Sequence, residues 1–427
     1  TKIFYLDKNG IVQDEPAFDD ARYAGNKTAG PSGVTATTRT VGTWTMIGPV
    51  NSATTGYSGS GNHGGYVYLN RLDPTNTNKM FAAFLTGGLW MTTDGGTNWT
   101  LTDANMPNES YNDIDVCTGT PSVVYAMMQS RVIKSTDGGL SWANTTLMSP
   151  TYTGTAYDIA VSPSNSNIVV ARWGDKIYRT TDGGTTWAAI LTGLPTYSIW
   201  DCSNHSEMLD WSTTNNSVVY FLSYGSANPN QVVVYRSADA GSTFAIMTTI
   251  TLDAAANGQV VGWAKLFLPS NNPSQIYVAI GTGLNAYAHK AVQLYKLNNT
   301  TGAEVLKRVN MLDGLTDPTG LHHGDMTMDR NEENKIAFGT YLPNRIYYSA
   351  NNGVSFTQSA ATTHSDIRSV EMISGKIIIG SDGEAAVTTN NGTTITTVTN
   401  SISNHELWGF GSAFKSDLVA IGANHGP

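Results

Sequence analysis

Carboxylates and histidines recur just ahead of short apolar runs. The runs begin at Asn112-Asp113-Ile114, Tyr157-Asp158-Ile159, Glu207-Met208-Leu209, His323-Gly324-Asp325-Met326, His364-Ser365-Asp366-Ile367 and His405-Glu406-Leu407-Trp408. Two further starts depart from this: His63-Gly64-Gly65 keeps the histidine without the acid, and Gly262-Trp263-Ala264 has neither. Carboxylates crowded into one place raise one another's pKa and can divide into acid and base roles. The separation of such a pair would set a retaining or an inverting glycosidase. Asp with His would equally suit a hard or borderline cation. The plainer alternative is that these acids only bond backbone N–H groups of neighbouring segments. The ligand-binding candidates are Asp325, Asp366, His323, His364, Asp113, Asp158 and Glu406. No residue is assigned as catalytic, no metal ligand is named and no cofactor is expected.

Other chemical signals are weaker. Trp200, Trp211, Trp263 and Tyr197 offer ring faces to sugars, although such rings more often pack in cores or loops. His322-His323 lacks the ligand spacing of a zinc site. The chain has no Gly-x-Ser-x-Gly elbow, no phosphate-binding loop and no His-Glu-x-x-His.

The elements that must position these residues come from a repeat. Thr92-Thr93-Asp94-Gly95-Gly96-Thr97-Asn98-Trp99 returns as Ser135-Thr136-Asp137-Gly138-Gly139-Leu140-Ser141-Trp142 and as Thr180-Thr181-Asp182-Gly183-Gly184-Thr185-Thr186-Trp187. Weaker copies centre on Asp239, Asn351 and Asn390. The gaps between these six centres are 43, 45, 57, 112 and 39 residues. The long gap predicts a decayed copy near Asn298, making seven. In each box the carboxylate or amide oxygen caps backbone N–H groups, and the glycines admit φ > 0. Asp94, Asp137, Asp182, Asp239, Asn351 and Asn390 are therefore read as structural turn residues, and the aromatic that follows as folding back into its own blade. Each unit shows four short strand-like runs separated by turns. That is the blade of a β-propeller, so the chain is predicted to be all-β, with about seven four-stranded blades, or eight or more if it runs on.

The box, Ser/Thr-x-Asp-x-Gly-x-x-Trp/Phe, resembles the Asp-box or BNR repeat. That repeat occurs in sialidases, xyloglucan-cleaving glycoside hydrolases, photosystem assembly factors and sortilins. The segments Trp44-Thr45-Met46-Ile47-Gly48-Pro49, Gly87-Gly88-Leu89-Trp90-Met91 and Ile379-Gly380-Ser381-Asp382-Gly383-Glu384 resemble secreted propellers of Bacteroidetes-type bacteria. Those proteins often carry a C-terminal sorting domain for type IX secretion. The resemblance spans residues 41–427 and implies a secreted or cell-surface propeller that binds carbohydrate or another surface ligand at one channel mouth. Its alternatives are a xyloglucanase-like glycoside hydrolase or a polysaccharide lyase, and a sortilin-like interaction scaffold. Sialidases bind the sugar carboxylate with three arginines, the first in an Arg-Ile-Pro-like motif, which is absent here.

Composition narrows the partners. The net charge is −9, and charged residues are 13%, about half the ~25% usual in globular chains. Without a basic cluster to release counterions, nucleic acid is excluded as a partner. No apolar run reaches the ~18 residues that suggest a membrane helix. A hydrophobic fraction of 40% is enough for a core. Cys117 and Cys202 are too few for a disulfide framework and are expected as free thiols. Residues 1–40, with Gly25-Asn26-Lys27-Thr28-Ala29-Gly30-Pro31-Ser32-Gly33, read as an arm or linker ahead of the propeller at 41–427. The start at Thr1 suggests a processed or excised chain, part of a larger product or surface assembly. Trp44-Thr45-Met46-Ile47 is expected to be the outer strand of a last, incomplete blade truncated at the C-terminal end.

Overall fold

A computed structural model of the chain describes residues 67–399, with breaks at 85–86, 107–109, 147–155, 197–207, 226–229, 253–259, 284–290, 310, 312–314, 316–324, 341–343 and 365. Residue 402 and the strands Ser52–Ala53, Asn62–His63, Glu406–Ser412 and Val419–His425 are described beyond that range. The arm at 1–40 and Trp44 lie outside the described residues. The chain divides into two compact units. One holds Thr1–Pro49 and Trp408–Gly422, and its described part belongs to the pairing of Glu406–Ser412 with Val419–His425. The other, Val50–Leu407 with Ala423–Pro427, is a seven-bladed β-propeller.

Each blade is one antiparallel sheet of four consecutive strands. The inner strands are Val67–Asp73, Tyr111–Val116, Ala156–Val161, Leu209–Trp211, Val260–Phe267, Met326–Asp329 and Ile367–Ile373. Middle strands such as Val124–Met128 and Val169–Trp173 are wholly buried because blades cover both faces. Four outer strands are only two residues long, as at Thr100–Leu101 and Thr396–Thr397, which limits exposed sheet edge there, whereas Ala245–Thr251 runs to seven.

Seven apolar clusters fill the spaces between blades, one per interface. Seven blades have seven interfaces only in a closed ring. The closing interface packs Val67, Trp90 and Trp99 of blade 1 on Ile373, Ile378 and Val398 of blade 7. Asn70 Nδ2 donates to Ser369 Oγ at 2.6 Å, Lys376 Nζ to the Thr77 carbonyl at 2.6 Å, and Trp99 Nε1 to the Val398 carbonyl. Blade 7 takes its outer strand, Thr396–Thr397, from its own unit. The ring therefore closes at seven complete blades.

The boxes form near-identical turns between third and outer strands. In the first, Thr92 Oγ1 donates to Asp94 Oδ1 (2.8 Å), Asn98 N donates to the same oxygen (2.9 Å), and Gly96 N donates to Thr92 Oγ1 (3.1 Å). The corresponding bonds recur around Asp137, Asp182, Asp239, Asn351 and Asn390. The decayed copy is also a turn: Asn298 Oδ1 accepts from Thr300 N and Thr301 N.

The two glycine positions of the box differ. The first is left-handed yet holds Ala240, Asn352 and Asn391 in three copies, with φ of 57–58°. The second is glycine in all six boxes. There a Cβ would lie 2.4–2.6 Å from the neighbouring packing: Val398 at Gly96, Phe81 at Gly139, Thr145 at Gly184, Val170 at Gly241, Met311 at Gly353 and Ser359 at Gly392. The aromatic that ends the box departs from expectation. Trp142 joins the cluster between blades 1 and 2 and donates Nε1 to Thr102 Oγ1 at 3.1 Å, so it seals an interface and does not fold into its own blade.

Candidate functional site

The inner strands set the geometry of the channel. Five of them carry a bulge at the same place, ahead of Leu69, Asp113, Asp158, Trp263 and Ser369. Met208 and Asp325 hold the same level in blades 4 and 6, because their carbonyls accept Leu222 N and Gly339 N from the next strand. Side chains alternate along a strand, so the residues two further on share the same face. They form a second level, one per blade: Arg71, Asp115, Ala160, Asp210, Lys265, Thr327 and Glu371.

Residues of both levels reach forward to the next blade. Asp113 Oδ2 accepts Ile159 N (3.1 Å) and Asp115 Oδ2 accepts Val161 N (2.7 Å). Asp158 Oδ2 accepts Met208 N (2.6 Å) and Leu209 N (2.9 Å). Asp325 Oδ2 accepts Val370 N (3.1 Å), and Glu371 Oε2 accepts Leu72 N across the closing interface. Arg71 Nε donates to the Ile114 carbonyl (2.7 Å), pairs with Asp113, and lies 3.3 Å from Glu371. One guanidinium thus ties blades 7, 1 and 2.

A cavity of about 60 Å³ lies along this waist. It is lined by Asp113, Asp158 and Arg71, by Asp115, Asp210 and Glu371, by Asp329 at the end of its inner strand, and by Pro269 and Arg330 beyond the strand ends. Arg330 reaches Asp210 at 3.6 Å, with side chains 31% and 25% exposed. Carboxylates outnumber guanidinium groups, and their protonation shifts accordingly. Withdrawal from water, then Asp210, pushes Asp115 up to about 7. Burial, then the Asp113 charge, raises Asp158 well above the usual range. Burial also raises Glu371, against the opposing pull of Arg71. Asp210 leads in raising Arg330.

The sequence candidates among the described residues do not all meet at one place. Asp113 and Asp158 line the cavity. Asp325 shares their level and pairs with Lys265. Asp366 stands three residues ahead of that level, left-handed at φ 59°, with its carboxylate 3.7 Å from Arg368. Arg368 in turn forks onto Asp382 at 2.6 and 3.1 Å. The two His-x-Asp segments are therefore not equivalent: Asp325 aligns with Ser369, not with Asp366. The His364 ring lies over Gly383, where a Cβ would come within 2.6 Å, and the His364 backbone N–H donates to Glu384 Oε1 at 2.7 Å. His323 and the Glu406 side chain lie outside the described residues, as does Glu207, whose neighbour Met208 takes the level expected for an acid. Sequence reasoning missed Arg71, Asp115, Asp210, Glu371 and Arg330. Reading each inner strand two residues further would have found the first four. Among the described residues, no group of three or more His, Cys, Asp or Glu side chains is arranged to hold a metal ion. Cys117 is free, buried, and donates Sγ–H to the Ser162 carbonyl at 3.3 Å.

No protein-family model and no curated protein matches the chain. Solved structures match in fold. The GH74 xyloglucanase from Xanthomonas campestris gives a TM-score of 0.56 at 13% identity over 84% of this chain and 58% of its own. An ancestral GH74 enzyme gives 0.55 at 16%, covering 79% of this chain and 46% of that one. YCF48 from Cyanidioschyzon merolae gives 0.51 at 14%, covering 76% and 95%. The chain spans about half the length of the GH74 enzymes, and at these identities the likeness is one of fold.

Proposed function

We propose that this is a secreted or cell-surface propeller of the Asp-box kind that binds a carbohydrate, or another surface ligand, at one mouth of its channel. The observation that carries this reading is the partly exposed Arg330–Asp210 pair at the end of a narrow polar cavity. A guanidinium and a carboxylate side by side present donors and acceptors to hydroxyl groups. A cavity of about 60 Å³ takes a few waters and not a sugar ring. The ligand would therefore rest across the mouth and send a single group inward.

The deeper carboxylates are occupied. Asp113, Asp115, Asp158 and Glu371 each accept a backbone N–H of the next blade. Residues committed to backbone donors are poorly placed to activate water, which favours binding over hydrolysis. The fold likeness to GH74 xyloglucanases keeps a glycoside hydrolase as the second reading.

A glycan array followed by a reducing-end assay on each hit tests this reading. Arg330→Gln with Asp210→Asn should abolish the array signal with the melting temperature within a few degrees of the parent. Asp325→Asn with Asp366→Asn tests the strand-start positions by the same array, with a lowered melting temperature expected because Asp325 pairs with buried Lys265. Hits that survive both double variants would refute a channel site. Release of reducing ends would favour the hydrolase.

A further inference from the structure

Asp158 is 1% exposed, and only one of its carboxylate oxygens is satisfied by the protein. Oδ2 takes two backbone N–H groups of blade 4, while Oδ1, fully buried, meets no donor. Its neighbour Asp113, also 1% exposed, has both oxygens engaged, by Arg71 and by Ile159 N. Two ionised carboxylates side by side and withdrawn from bulk water repel, and neither has a hydrogen to offer the other. One proton removes both difficulties: it neutralises one acid and supplies the missing donor at Oδ1. We propose that Asp113 and Asp158 hold a single proton between them, and that this proton makes the seam joining blades 2, 3 and 4 responsive to pH.

The surrounding charges agree. Arg71 of blade 1 faces the pair from one side and is shared with Glu371 of blade 7. Asp115 follows on the Asp113 strand, with Asp210 of blade 4 and Arg330 of the turn after Met326–Asp329 acting on it. In blade 5, Lys265 is engaged by Asp325 of blade 6. The acids outnumber the two arginines at the cavity, so neutralisation by protons completes the balance. The dominant cause of the raised proton affinity of Asp158 is burial, followed by Asp113.

The sign follows from linkage. A carboxyl raised on folding binds a proton that the unfolded chain has lost, so its contribution is full below the unfolded value near 4 and falls away as pH rises through the folded value. Each such proton changes the unfolding constant by up to tenfold per pH unit across that window.

The test measures denaturant unfolding of the 427-residue chain from pH 5 to 9, with amide exchange at Ile159, Met208 and Leu209 corrected for intrinsic rate. The parent should lose stability and amide protection as pH rises. Asp158→Asn places an N–H where the proton sits, and should flatten the part of this fall that belongs to the pair. A slope in Asp158→Asn equal to the parent's would overturn the proposal. Infrared spectroscopy of the parent in D2O reads the proton without any variant. A protonated carboxyl band at pH 6, retained when Asp115→Asn and Glu371→Gln remove the other raised carboxyls, supports it. No such band at pH 6 overturns it, whether or not Asp158→Asn folds.

Discussion

The rim and the waist of this propeller use the same residue type in opposite ways. At the rim, Asp94, Asp137, Asp182 and Asp239 each cap the turn that contains them, with partners within four residues. Those bonds hold their carboxyls down at about 2; for Asp94 the backbone N–H of Asn98 leads. At the waist, Asp113, Asp115 and Asp158 bond to another blade, and the last two are pushed upward by loss of water. The rim repeats from blade to blade. The second waist level varies around the ring, with only aspartate used twice: Arg71, Asp115, Ala160, Asp210, Lys265, Thr327 and Glu371. Positions that repeat build blades. Positions that do not repeat make one blade distinguishable from the next, and a site needs that difference.

The sharpest way to break the contrast is at Arg71. It neutralises Asp113 and Glu371 and holds a carbonyl of blade 2, so Arg71→Ala strands two buried acids. Removing one partner of a buried ion pair costs about 3–5 kcal/mol. Denaturant melts should show a loss of that size, and a loss under about 1 kcal/mol would mean that the waist does not hold the ring.

A smaller effect separates the two glycines of the rim. Gly139→Ala puts a methyl group 2.5 Å from Phe81 at φ 96°, and should cost about 2 kcal/mol or more. Gly138→Asn places an amide where Asn352 and Asn391 already stand, and should change stability by less than about 0.5 kcal/mol. Thermal melts of the pair read this directly. Equal effects would remove the packing reason for the second glycine.

The rim was legible in the sequence because its bonds are local. An Asp, two glycines and a hydroxyl four residues apart contain the whole turn, and the spacing of the boxes located even the decayed copy at Asn298. The waist was legible only in part. Asp113, Asp158 and Asp325 were placed at the correct level because each precedes an apolar run. Arg71 and Glu371 escaped because they pair across 300 residues, and because a strand's second inward residue carries no turn signal. Asp366 was misaligned because His364-Ser365-Asp366 copies the pattern of His323-Gly324-Asp325 while lying three residues ahead of the equivalent level. Trp142 was sent into its own blade because sequence shows the ring and not the neighbour that receives it.

Rim and waist aspartates sit in opposite electrostatic environments, and that contrast can be measured. Carboxyl carbon-13 NMR, with aspartate labelling and Asp115→Asn and Asp137→Asn variants for assignment, measures it residue by residue. Asp137 should titrate at about 2, so that stability at its turn falls as pH drops from about 4 through 2. Asp115 should titrate at about 7, so that stability at the waist falls as pH rises from about 4 through 7. Both groups titrating together near the ordinary aspartate value of about 4 would contradict the account.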